Sequence, residues 1–114
     1  MTPNKFGAIR TKIDGYSFDS LAEAQRYRDL CLLVKAGEIT DLRVHPKYVL
    51  QEGFEYHGRK LRPIIYESDF EYNENGMTIV EDVKGGKATQ TALFKVKAKM
   101  FKKKYPDYEM RIIE

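Results

Sequence analysis

Apolar positions recur along this chain with two different periods, and the change of period marks its elements. Leu21, Ala24, Tyr27, Leu30, Cys31 and Val34 fall three or four residues apart, which is the stripe of a helix. Ser20-Leu21-Ala22-Glu23 at its start forms a capping box, and Gly37 supplies a C-terminal stop. The pattern predicts a helix of about four turns from near Ser20 to Ala36. Ahead of it, residues 1–16 read as an extended lead-in with turns at Gly7 and Asp14-Gly15. Tyr16-Ser17-Phe18 follows the second turn and predicts a short hairpin there.

Beyond Gly37 the period shortens. Ile39 to Gln51 is rich in β-formers and interrupted by Pro46, which predicts a bent or edge strand. Gly53 to Arg59 holds a turn. Leu61 to Tyr72, with Ile64, Ile65, Tyr66 and Phe70, reads as a strong strand. Asn73-Glu74-Asn75-Gly76 is a hairpin turn, because Asn and Gly accept positive φ. Met77 to Lys84 returns, and Gly85-Gly86 ends it. Thr89 is placed to cap a second helix over Gln90 to Lys104, whose apolar stripe is Leu93, Phe94, Val96, Met100 and Phe101. Lys95, Lys99, Lys102 and Lys103 occupy its opposite face. Pro106 stops this helix, and Tyr108 to Ile113 forms a last strand. The order is helix, three strands, helix, strand. It predicts an α/β fold, a mixed central sheet flanked by helices.

Composition sets bounds on this picture. A length of 114 residues suits a single domain spanning 1–114, and 42% hydrophobic with 12% aromatic residues can fill a core. Charged residues make up 32%, a high share, but enough apolar residues balance it to argue against disorder. No apolar run approaches the roughly 18 residues of a membrane-spanning helix, and the N-terminus lacks the apolar stretch of a signal peptide. The expectation is a soluble, cytoplasmic chain without a membrane partner. Cys31 is the single cysteine, which excludes an internal disulfide and a cysteine-based metal site; it reads as core. His45 and His57 are not spaced as a metal pair and read as ordinary strand and turn residues.

The net charge of +3 is modest, but its distribution is not even. Tyr66 to Asp82 carries six acids and no Lys or Arg, whereas Lys84 to Lys104 carries eight lysines and no acid. Acids hold divalent cations and lysines hold a polyanion. A solvated basic helix beside an acidic loop would produce the same pattern.

Strand alternation sharpens the chemistry. Asp82 and Lys84 share a face with Val80, while Ile79, Glu81 and Val83 point the other way. On the preceding strand Glu67, Asp69 and Glu71 share a face, opposite Tyr66, Ser68, Phe70 and Tyr72. A short hairpin joins the two strands, so pairing sets Asp69 beside Asp82 and Lys84. Two adjacent carboxylates repel each other in a partly buried site. A divalent cation removes that cost, and Mg²⁺ (or Mn²⁺) suits one or two carboxylates with several waters. Such a cation lowers the pKa of its water and neutralises charge on a phosphate. Lys84 would hold a phosphate oxygen or orient the water. Glu67 could support a second metal, and Glu81 faces the wrong side and reads as structural or exposed.

Ser68-Asp69, twelve intervening residues, then Asp82-Val83-Lys84 resembles the PD-(D/E)XK nuclease superfamily, which includes restriction endonucleases and Holliday junction resolvases. Tyr66-Glu67-Ser68-Asp69-Phe70-Glu71-Tyr72 and Val80-Glu81-Asp82-Val83-Lys84-Gly85 are similar to a small phage and prophage-encoded branch. The resemblance implies a restriction-endonuclease-like core of order α-β-β-β-α-β. It implies Asp69 and Asp82 as metal ligands, Lys84 as the catalytic lysine and the Val83 carbonyl as a further ligand. Many members add a glutamate on the first helix; Glu23 matches, although the capping box claims the same side chain. Ser68 stands where the family pattern has proline.

The reading that follows is a Mg²⁺-dependent endodeoxyribonuclease in a phage setting, acting on Holliday junctions or other branched DNA. A symmetric homodimer would present two sites to two strands. Lys87, Gln90, Lys95 and Lys97 are candidate DNA contacts, and Gly85-Gly86 would let a nucleic-acid backbone approach or would merely turn the chain. The alternatives are a non-catalytic nucleic-acid-binding module that keeps the lysines without needing the acids, and an interaction protein whose acidic hairpin binds a protein partner.

Overall fold

The computed structural model describes residues 10–84 and 90–114. A leading hairpin, β1 (Thr11–Ile13) and β2 (Tyr16–Phe18), turns at Asp14-Gly15, both with positive φ. Helix α1 (Leu21–Lys35) follows, with Ser20 as its cap and Ala36 closing it. Its buried face is Ala24, Tyr27 and Leu30 together with Glu23, while Leu21 and Val34 are exposed. The expected stripe is therefore rotated toward the side that carries Glu23.

The two long strands expected at 39–51 and 61–72 are each broken midway, at the same level. The first divides into β3 (Thr40–Val44) and β4 (Lys47–Gln51), the second into β7 (Ile64–Glu67) and β8 (Phe70–Glu74). Between the halves stand His45-Pro46 on one side and Ser68-Asp69 on the other. β4 pairs with β7, and β3 pairs with β8, both antiparallel. At the bend the Ser68 N–H donates to the Pro46 carbonyl (3.1 Å), the His45 N–H donates to the Asp69 carbonyl (2.9 Å) and the Asp69 N–H donates to the Glu81 carbonyl (3.1 Å). A proline at 68 would lack the first of these donors. The region read as a turn between Gly53 and Arg59 is a hairpin of its own, β5 (Phe54–Tyr56) and β6 (Arg59–Leu61).

The turn expected at Asn73 to Gly76 narrows to Asn75-Gly76, both with positive φ, because Asn73 and Glu74 still pair with Thr78 and Met77 of β9 (Met77–Val83). Helix α2 (Ala92–Lys104) begins two residues later than expected, capped by Thr91, whose side chain accepts from the Phe94 N–H. Thr89 and Gly85-Gly86 lie outside the described residues. The buried face of α2 is Phe94, Ala98 and Phe101, whereas Leu93 and Val96 of the expected stripe are exposed. Positions 94, 98 and 101 form one i, i+4, i+7 row, which admits the small Ala98 and turns Leu93 and Val96 outward.

The main sheet has the order β10-β9-β8-β3, with β10 (Glu109–Ile113) parallel to β9 and the other pairs antiparallel. The parallel pair is joined through α2, the crossover that parallel strands require. With the two helices, the strands of this sheet run in chain order α1, β3, β8, β9, α2, β10.

Neighbouring residues of β9 feed two cores, as alternation demands. Ile79 packs with Phe18, Ala24, Tyr27, Leu30, Ile39, Phe70 and Tyr72 on the α1 side. Val80 packs with Tyr48, Leu50, Tyr66, Phe94, Ala98 and Phe101 on the α2 side. The protein is thus a mixed α/β structure with a helix on each face of a mixed sheet. No helix of the described residues is long and apolar enough to cross a membrane.

Candidate metal centre at the strand bend

The coincident breaks in the two long strands create the candidate site. A cleft of about 220 Å³ opens there, lined by Asp19, Glu23, His45, Glu67, Ser68 and Asp69. Glu23 reaches it from the first turn of α1. The Ser20 hydroxyl accepts from the Glu23 N–H (3.1 Å) and caps the helix, while the Glu23 carboxylate turns toward His45, its Oε1 2.6 Å from Nε2. Backbone capping and the side-chain role are thus divided between two parts of one residue. The Glu23 carboxylate lines the cleft while the Ser20 hydroxyl caps the helix.

His45 owes its position to the bend. Its φ of 54° is left-handed, an uncommon conformation for a non-glycine residue, and it swings the ring out of the strand's alternation. Phe18 packs beside the ring. Asp69 completes the group. Ligand atoms of Glu23, His45 and Asp69 all lie within 4.8 Å of one another. The Oδ2 of Asp69 accepts the Val83 N–H at 2.6 Å, which ties the carboxylate to the C-terminal end of β9. Burial pushes the Asp69 carboxyl up to about 7; the Val83 N–H opposes this, the charges of Glu23 and Asp82 add to it, and His45 lowers it. An acid held near neutrality by burial and like charges is a group for which a cation would substitute.

Asp82 and Lys84 stand together next to this group. Lys84 Nζ is 2.7 Å from Asp82 Oδ1 and 3.9 Å from the centre of the Phe94 ring. Asp82 Oδ2 accepts the Tyr66 hydroxyl at 2.8 Å in a buried contact. Burial first, and Asp82 second, raise the Tyr66 hydroxyl far above the usual phenol range, so it stays a donor. Simple alternation set Tyr66 on the face opposite Asp69 and away from Asp82. The bend at Ser68-Asp69 takes β7 out of the sheet that holds β8 and brings Tyr66 over Asp82 instead.

Of the residues singled out from sequence, Glu23 and Asp69 converge on one cluster, and Asp82 and Lys84 form an adjacent pair. Val83 contributes its N–H to Asp69. Lys95 is exposed on α2. The Lys97 amine donates to the Ile65 carbonyl at 2.8 Å, and Gln90 is half-buried just before the Thr91 cap. Lys87 lies outside the described residues. Glu67 is exposed and lines the cleft. Glu81 is fully buried, held by two bonds from Arg26 (2.8 and 2.6 Å) and by the Tyr72 hydroxyl, so it braces α1 against β9 and points away from the cleft.

His45 is the residue that sequence reasoning passed over. The signal available was Pro46, which breaks the strand; the residue before such a break need not keep its place in the alternation.

A family model described as a protein of unknown function (DUF1064) matches residues 3–114. No curated protein and no solved structure matches the chain.

Proposed function

The chain belongs to the DUF1064 family of proteins of unknown function, and from the geometry of its cleft we propose that it is a metal-dependent nuclease acting on DNA. The observation that carries this reading is the convergence of Glu23, His45 and Asp69 within 4.8 Å, beside the Asp82–Lys84 pair. The chain order α1, β3, β8, β9, α2, β10 supports a restriction-endonuclease-like core, with the two acids and the lysine on or beside β8 and β9.

In this reading Glu23, His45 and Asp69 hold a divalent cation, with Asp82 close enough to share its charge. The donor set fits: two carboxylates supply hard oxygen ligands, and the imidazole broadens the choice beyond Mg²⁺ toward Mn²⁺. When bound, the cation supplies an acidified water and neutralises charge on the phosphate. The chain's own residues do the rest. Asp69 loses its proton and is kept oriented by the Val83 N–H. Lys84, confined between Asp82 and Phe94, offers its ammonium to a phosphate oxygen or to the attacking water. Asp19, Glu23, Glu67 and Asp69 make the cleft strongly acidic, which repels phosphate until a cation enters.

The rest of the reading is a phage or prophage enzyme at work in the host cytoplasm, with branched DNA such as a Holliday junction as substrate. A homodimer would offer it two sites. The deciding experiment incubates the protein with Mg²⁺ or Mn²⁺ and linear, nicked, flapped and four-way DNA. Cleavage that is lost in Asp69→Asn and Lys84→Ala, with DNA binding retained, is the expected result. DNA binding without cleavage under every metal would leave a non-catalytic binding module. Absence of salt-sensitive DNA binding would remove nucleic acid from the account altogether.

A further inference from the structure

Every residue from Gln51 to Pro63 is exposed, yet this segment is a paired hairpin. Its register sets Phe54 opposite Leu61, Glu55 opposite Lys60 and Tyr56 opposite Arg59. Alternation therefore gathers Phe54, Tyr56, Leu61 and Arg59 on one face and leaves Glu55 with Lys60 on the other. Phe54 is 47% exposed, Tyr56 60% and Leu61 42%. The His57 ring meets the edge of Tyr56 at 4.3 Å between centroids. Among the described residues, no ion pair engages Arg59, Lys60 or Arg62.

We propose that the β5–β6 hairpin is a nucleic-acid-binding arm, with Phe54 and Tyr56 stacking on unpaired or splayed bases, Arg59 of the same face engaging the adjoining phosphate, and Lys60 and Arg62 adding positive charge from the arm's other side and its base. Aromatic faces interleaved with cations are the chemistry that single-stranded nucleic acid selects. The hairpin continues the ribbon of β4 and β7, whose other end, Lys47 opposite Glu67, borders the candidate metal cleft. At a rise of about 3.3 Å per residue, Lys47 to Tyr56 spans at most about 30 Å, close to one turn of duplex.

The joint that carries the arm is tight. A Cβ added at Gly53 would stand 2.9 Å from the Leu61 carbonyl oxygen and 3.2 Å from Pro63, so a side chain at this position would force the two strands apart. A second copy of the chain is the less suitable occupant. It would set Arg59, Lys60 and Arg62 against cations of their own kind, whereas a polyanion neutralises them.

The inference rests on the nucleic-acid side of the reading above and needs no catalysis, so its test reads binding alone. The full chain is titrated with a labelled thymidine 20-mer and a labelled four-way junction in EDTA, following fluorescence anisotropy. Phe54→Ala with Tyr56→Ala should weaken binding on the order of 10-fold or more, with the far-ultraviolet circular dichroism unchanged. Arg59→Gln with Lys60→Gln should reduce the salt dependence by about 1–2 in log-log slope. The chain has no tryptophan, so Tyr56→Trp supplies a single reporter that stacked bases should quench. Wild-type affinity in the double alanine variant, or unquenched Trp at saturating oligonucleotide, overturns the proposal. A change of sedimentation from dimer to monomer in that variant overturns it equally, since the hairpin would then serve self-association.

Discussion

Glu23 and His45, twenty-two residues apart, meet at 2.6 Å between Oε1 and Nε2, and that contact exists because a helix cap and a strand break share one corner of the fold. Ser20 satisfies the backbone of the first turn of α1, which frees the Glu23 carboxylate. His45 leaves its strand through a left-handed φ, which frees the ring. Neither residue alone would line a cleft; Asp69, across the bend, gives the pair a third ligand atom. The consequences can be measured.

Apo stability should fall as pH rises through Asp69's window. An acid whose pKa stands near 7 folded, against 3.8 as its ordinary value, keeps its proton in the folded chain after the unfolded chain has lost it. Asp69 then carries no penalty below about pH 4, a growing one between about pH 4 and 7, and the full penalty above that, on the order of 4 kcal/mol. Asp69→Asn should flatten this profile and raise the apo melting temperature at pH 8. Thermal scans from pH 5 to 8.5 check it; an unchanged slope in the variant would refute the assignment to Asp69.

Cation binding should tighten with pH over the same range, with about one proton released per cation. Isothermal titration of Mn²⁺ in buffers of different ionisation enthalpy reads the proton directly. Binding independent of pH between 6 and 8 would exclude Asp69 as a ligand.

His45→Asn keeps a residue that tolerates positive φ and removes the imidazole. Affinity for Mn²⁺ should drop about 10-fold or more, and affinity for Mg²⁺ much less, because imidazole favours the transition metal. Equal losses for both ions would show that the imidazole does not discriminate between them.

Lys84→Ala should separate chemistry from metal binding. Turnover is expected to fall by about 10²–10³, the usual effect of deleting one preorganised charge partner, while Mn²⁺ affinity stays within a few-fold. Asp82 keeps the Tyr66 hydroxyl as a partner, so the fold should survive. Retained cleavage at wild-type rate would remove Lys84 from the mechanism.

Glu81→Ala should act on stability alone. It strips Arg26 and Tyr72 of their buried acceptor, at a cost of about 3–5 kcal/mol, seen as a lower urea midpoint. Replacing Arg26, Glu81 and Tyr72 together by Met, Leu and Phe should recover most of it. A loss of metal affinity in the folded triple variant would contradict a purely structural role.

Local signals in the sequence were sufficient for both helices and their approximate ends, for the hairpin that returns at Asn75-Gly76, and for the mixed α/β class, because caps, glycines and hydrophobic periods act over a few residues. They also placed Asp82 with Lys84, two positions apart on one strand face. The tertiary structure alone decided where Glu23, His45 and Asp69 stand relative to one another. His45 joined them because a break at Pro46 cancels the strand's alternation, and Tyr66 reached Asp82 because the matching break at Ser68-Asp69 moves its strand to a different sheet. A pattern of period two carries no information past the point where the chain stops obeying it, and this cleft is built at that point.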